Sequence, residues 1–145
     1  MIRLILILSL LLSALPTFGE SKEHPDRLAE CRSQVLQLAG AFANDGFKVR
    51  DSRFESDLAP NTPALIQVNL YAGNQYWFVA AATDASKKLR VSVYDEKGDP
   101  VKYEPYTDGN KAAAGFAPTV SGPYYVQVQE ESGAPASFCL IYCYK

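Results

Sequence analysis

ALIQVNLYAGNQYWFVAAATDASKKLRVSVYD, residues 64–95, is the stretch whose reading decides the fold. Ile66, Val68 and Leu70 alternate with Gln67, Asn69 and Tyr71, and after AGN the alternation resumes with Tyr76, Phe78 and Ala80. A period of two marks strands with one buried face. Two such runs joined by a short Gly-bearing turn predict a β-hairpin. A second turn across Asp84–Lys87 leads to a third strand, in which Leu89, Val91 and Val93 face one way and Lys88, Arg90, Ser92 and Tyr94 the other. Three consecutive segments of this kind commit the region to a sheet with one buried face.

Downstream, DEKGDP is a turn in which Gly98 is free to take positive φ. Val101 and Tyr103 suggest a short edge strand, and Glu104–Lys111 a long polar loop. Ala112–Thr119 reads as a weak strand centred on Phe116. In SGPYYVQVQ, Tyr124, Val126 and Val128 alternate with Tyr125 and Gln127, and Glu130–Ala136 turns into the closing strand SFCLIYCYK. Upstream, Phe47–Arg50 predicts a short strand, and Asp51–Pro63 a polar connection. Seven or eight short strands at this spacing predict an antiparallel sandwich rather than a parallel sheet.

One helix is expected, over Pro25–Asn44. Pro25 suits a first helical position, Asp26 and Glu30 complement the amino-terminal dipole, and Asn44-Asp45-Gly46 supplies a stop. Leu28, Cys31, Val35, Leu38 and Phe42 form an apolar stripe, while Arg32, Gln34 and Gln37 lie on a wet one. That stripe has a destination. If Tyr76, Phe78 and Ala80 point into the sandwich, Trp77, Val79 and Ala81 point out; likewise Phe138, Leu140 and Tyr142 oppose Cys139, Ile141 and Cys143. Both outward sets are too apolar for water. The fold class expected is therefore mainly β, a jelly-roll-like antiparallel β-sandwich with one N-terminal helix packed on an outer sheet face. Residues 20–46 carry the helix and 47–145 the sandwich, together one domain.

Residues 1–19 read as a signal peptide, with Arg3, the apolar run Leu4–Leu12, the breaker Pro16, and small residues before a cut ahead of Glu20. The run is shorter than the roughly 20 apolar residues a membrane span needs, so no membrane anchor is expected in the mature chain. Export to the periplasm or the cell exterior follows. The 14 basic and 16 acidic side chains become 13 against 16 when Arg3 is removed. Without a long basic run, nucleic acid is not an expected partner, nor is an anionic lipid surface.

An oxidising compartment lets disulfides persist, and the chain has three cysteines. Cys139 and Cys143 lie on one face of a strand, about 13 Å apart at ~3.3 Å per residue, too far to bridge one another. Cys31 is then the expected partner of Cys143 or of Cys139. One thiol is left over. Three thiols and the lone His24 lack zinc-ligand spacing, so no metal or cofactor is expected.

The order AGNQYWF, KLRVSVYDEKG, FAPTVSGPYYVQV and SFCLIY resembles the bacterial pre-peptidase C-terminal domain, a small extracellular jelly-roll-like β-sandwich. In that family an apolar strand runs into a Tyr-Asp pair before a Gly turn, as Val93-Tyr94-Asp95 does before Gly98. A Gly-x-Tyr-Tyr-x-x-Val strand follows, as Gly122–Val128 does here. The resemblance covers roughly Leu58 to Tyr142, and it implies an accessory module similar to ones that help secreted enzymes engage polymers. It transfers no binding site. Lys88 and Arg90 stand where family members often carry acidic residues, and the segment ahead of the domain is a helix rather than a peptidase.

Catalysis is not expected. His24 has no nucleophile fixed beside it by any motif, and Asp95-Glu96 and Glu130-Glu131 are adjacent pairs that strands would send to opposite faces. Asp95, Glu96 and Asp99 lack the spacing of a calcium loop. The remaining signal is aromatic: Tyr94, Tyr103, Tyr106 and Tyr125 lie outside the inner core and form a candidate ligand patch, against the plainer reading of tyrosine as a good strand former. The function expected is a secreted or periplasmic non-catalytic binding or accessory module for a polysaccharide or protein partner. The alternatives are a structural subunit of a cell-envelope assembly and, third, a small secreted hydrolase.

Overall fold

Eight strands and one helix are found among the described residues: α1 (Glu23–Ala43), β1 (Lys48–Leu58), β2 (Ala64–Leu70), β3 (Tyr76–Ala82), β4 (Leu89–Tyr94), β5 (Glu104–Asp108), β6 (Lys111–Phe116), β7 (Gly122–Glu130) and β8 (Ala136–Tyr144). The computed structural model describes residues 23–145, apart from the side chains of Glu23, His24, Asp51 and Ser52. The expected signal peptide, its cut before Glu20 and the His24 side chain lie outside that description. No described helix is long and apolar enough to cross a membrane.

The strands form two antiparallel sheets, ordered β1-β8-β3-β6-β5 and β2-β7-β4. The chain changes sheet at nearly every connection, which is the jelly-roll arrangement. One strand departs from it. Pro100–Tyr103 starts alongside β4, where Val101 N–H donates to the Val93 carbonyl at 3.2 Å and Pro100 bridges Tyr94, but the chain then crosses to pair β5 with β6. The expected edge strand at Val101 and Tyr103 is thus a single bridge, and the expected polar loop holds β5. The strand is exposed along its length, so no apolar period marks it; its ladder is held by backbone bonds to β6.

Two further expectations are corrected. The 64–82 segment is no hairpin: β2 pairs with β7 and β3 with β6 and β8, so the AGN turn arches between the sheets. Alternation fixes which face a residue takes and says nothing about which strand lies beside it. The first strand is also longer than Phe47–Arg50. It runs to Leu58 with a register shift between Val49 and Arg53, and such a bulge interrupts the period that would have revealed it.

The faces are as the alternation requires. Val68, Leu70, Tyr76, Phe78, Ala80, Leu89, Val91, Val93, Val126, Val128, Phe138, Leu140 and Tyr142 fill the layer between the sheets. On the far side of the five-stranded sheet, α1 lays Leu28, Cys31, Val35, Leu38, Ala39 and Phe42 over Trp77, Val79, Ala81, Cys139, Ile141 and Cys143. The Phe42 ring stacks on Trp77 with centroids 4.5 Å apart, and Trp77 lies across β6 so closely that a Cβ on Gly115 would stand 2.8 Å from the indole. The wet stripe of the helix is partly in use: Arg32 grips Glu55 of β1 through two bonds of 2.5 and 2.9 Å, and Gln34 accepts from the buried Asn110 at 2.8 Å.

Candidate functional site

The helix covers the outer face of the five-stranded sheet, whereas the described residues leave the outer face of the three-stranded sheet open. β7 lies at the centre of that sheet and sends Pro123, Tyr125, Gln127 and Gln129 outward, opposite Tyr124, Val126 and Val128. Register then sets the neighbours. Tyr125 sits between Gln67 of β2 and Tyr94 of β4, and Gln127 between Leu65 and Ser92. Tyr94 and Tyr125 are therefore adjacent, half-buried rings on one face. The Tyr94 hydroxyl donates diagonally to Gln127 Oε1 at 3.2 Å, which fixes both side chains. With Leu65, which is 62 % exposed, they line an open groove of about 400 Å³ whose rim is Glu96, Lys97 and Gly98. Gly98 takes φ 83° at the tip of that rim, as its turn demands.

The four tyrosines of the candidate patch do not stay together. Tyr103 reaches the same face from the loop beside β4, its hydroxyl 3.1 Å from Ser92 Oγ, while its ring packs against the inner core. Tyr106 stands apart. It pairs with Ala113, which faces the helix layer, so Tyr106 projects from the opposite side of the molecule. Of the four, Tyr94 and Tyr125 line the groove. Leu65 and Gln127 join them without having been singled out from the sequence. Their signal was an exposed leucine and a run of amides at outward positions where charged side chains are commoner.

A larger cleft, about 550 Å³, opens at the end of the sandwich between Asp95–Lys102 and Phe116–Tyr124. Several of its polar groups are already engaged in tying loops together. Asp95 Oδ1 accepts from the amides of Lys97 and Asp99, the Tyr124 hydroxyl donates to the Val120 carbonyl, and Ser121 Oγ accepts from the Ala72 amide. Glu130 is likewise a fastening, bonded to Ser132 Oγ and the Ala134 amide across the β7–β8 turn, and the Ser132 hydroxyl above all holds its carboxyl below the usual range. Glu131 lies 3.9 Å from Arg90. Among the described residues no three His, Cys, Asp or Glu side chains gather to hold a metal.

All three cysteines lie as buried thiols in the layer between α1 and the five-stranded sheet. Cys31 donates to the Ala81 carbonyl at 3.1 Å, and Ala81 is the cross-strand partner of Cys139. The S–H of Cys31 stabilises the thiolate of Cys139, so the first ionisation of the pair is eased and the second opposed. Cys143 has no such neighbour, and burial pushes it up to about 11. No protein-family model matches the chain, and no curated protein matches it significantly.

Proposed function

We propose that this chain is a non-catalytic binding module, exported to the periplasm or beyond the cell, that takes a polysaccharide on the outer face of its three-stranded sheet. The observation that carries the reading is the cross-strand pair Tyr94 and Tyr125, locked beside Gln127 in an open groove. A sugar ring has an apolar C–H face and an equatorial fringe of hydroxyls. Flat tyrosine rings match the first, and the amides of Gln67 and Gln127 match the second. Groove volume suits a few sugar units, since small-ligand sites run roughly 300–1,000 Å³. Glu96 and Lys97 on the rim oppose one another in charge, which favours a neutral chain over an acidic one.

The resemblance to the pre-peptidase C-terminal domain belongs to the same proposal. Its two motifs fall on β4 and β7, neighbours in the sheet that forms the groove. Retention on insoluble neutral polysaccharides tests the reading. Wild-type protein and Tyr106→Ala should be retained equally, and Tyr94→Ala combined with Tyr125→Ala should lower affinity roughly tenfold or more. No retention on any polysaccharide, or retention indifferent to the double substitution, rejects it; capture of a defined protein through the same two tyrosines would move the module to a protein ligand.

A further inference from the structure

We infer that Cys31 and Cys139 are partners in a disulfide that fastens α1 to β8, with Cys143 left as a buried thiol. Two independent placements put the Cys31 turn of the helix over Cys139. Cys31 Sγ reaches the carbonyl of Ala81, and Ala81 is the cross-strand partner of Cys139. The next helical residue, Arg32, grips Glu55, which pairs with Cys139 from the other side. Cys143 belongs to the opposite end of the helix: its partner Trp77 stacks on Phe42, and Phe42 lies about 16 Å along the axis from Cys31 at ~1.5 Å per residue. No rotamer of Cys31 spans that distance.

The chemistry requires an oxidant that carries a disulfide, such as oxidised glutathione. One protein thiolate attacks it, expelling one glutathione thiolate and forming a mixed disulfide. The second protein thiolate then displaces the other glutathione. Two protein thiols become one S–S bond, their two protons pass to the two expelled glutathione thiolates, and one glutathione disulfide is thereby reduced to two thiols. The pair is suited to the first step, because the neighbouring Cys31 S–H favours a thiolate at Cys139, which outweighs the opposition of burial and of the Glu55 carboxylate that Arg32 pairs with. Cys143, protonated and buried without a partner, stays out of the exchange. The bond would close a loop of about 100 residues that contains seven strands and part of β8, so its loss is felt chiefly by the unfolded chain. This inference concerns the covered face and is independent of the proposed ligand.

Mass mapping tests it. The full chain is expressed, and the recovered protein is equilibrated in oxidised or in reduced glutathione, acid-quenched, alkylated under denaturing conditions and digested. Oxidised protein should yield a cross-linked peptide joining Cys31 to Cys139 and a single alkylated site at Cys143. Reduction should lower the melting temperature by roughly 10 °C or more. Cys143→Ser should keep the cross-link. A bridge from Cys31 to Cys143, or three alkylated thiols in the oxidised sample, overturns the inference.

Discussion

The two outer faces of the sandwich are built from strands of different kinds. β3 and β8 are apolar on both sides, YWFVAAA and ASFCLIYCY, and every residue of either is at least half-buried. β2 and β7 keep most of their apolar residues on one side and put Gln67, Asn69, Gln127 and Gln129 on the other with Leu65 and Tyr125, joined by Arg90, Ser92 and Tyr94 of β4. A strand that is apolar on both sides must be covered twice, so β3 and β8 belong in the middle layer of three, between α1 and the second sheet. A strand with a polar side needs one cover only. The open face is therefore where binding groups can be displayed without cost to the fold, and the aromatic groove lies there.

Placing the same charge on both faces is the strongest way to break this comparison. Ile141 points from β8 into the helix layer at 2 % exposure, and Gln67 points from β2 into solvent. A carboxylate at Ile141 would be buried among Val35, Val79 and Cys139 with no cation assigned to it. Ile141→Glu should cost about 4 kcal/mol or more, or prevent folding, whereas Gln67→Glu should change stability by no more than about 0.5 kcal/mol. Urea unfolding of the two variants measures both. Equal costs would mean that α1 does not seal its face.

A finer test adds one carbon to the covered side. Gly115 is the cross-strand partner of Trp77, and the indole lies against it with Phe42 stacked on the ring. A methyl there must push the indole away, and the stack on Phe42 resists. Gly115→Ala should cost about 1–3 kcal/mol despite the better strand propensity of alanine. A neutral or stabilising result in the same unfolding measurement would show that the Trp77–Phe42 stack is free to shift.

Sequence reading succeeds here wherever burial imposes a period. The inward sets, the helix and its apolar stripe, and the outward Trp77-Val79-Ala81 and Cys139-Ile141-Cys143 all follow from alternation, because each position is either in a core or out of it. Partnership is a different matter. β2 and β3 alternate like the arms of a hairpin and yet lie in opposite sheets, since pairing is chosen by backbone ladders and by the second cover that β3 requires. β5 carries no apolar pattern because neither of its sides is buried, and the bulge in β1 erases the pattern its edge position already weakens. The same limit split the tyrosine patch. Tyr106 and Tyr94 are both outward residues, but outward from different sheets, and only the crossing of the chain between β4 and β5 separates them.

The smallest effect concerns the corner where the open sheet passes into the covered one. Glu130 ends β7 on its inward side, almost without exposure, and its carboxylate accepts from Ser132 Oγ at 2.6 Å and the Ala134 amide at 2.9 Å. These bonds stabilise the ionised form, so the folded-state pKa lies below the ordinary 4.5. A carboxyl depressed on folding contributes stability that is fully present above its unfolded pKa and is lost as pH falls through the folded value. Glu55, held down by Arg32, and Asp84, held down by Ser86, act in the same direction, and wild-type protein should lose stability on acidification for all three reasons. The difference between wild type and Glu130→Gln isolates one of them. Melting temperatures should favour the wild type at about pH 6, and the advantage should narrow as pH drops below about 4.5. An advantage that stays constant down to about pH 3 would mean that Glu130 holds the turn by its shape and hydrogen bonds alone, with no contribution from its charge.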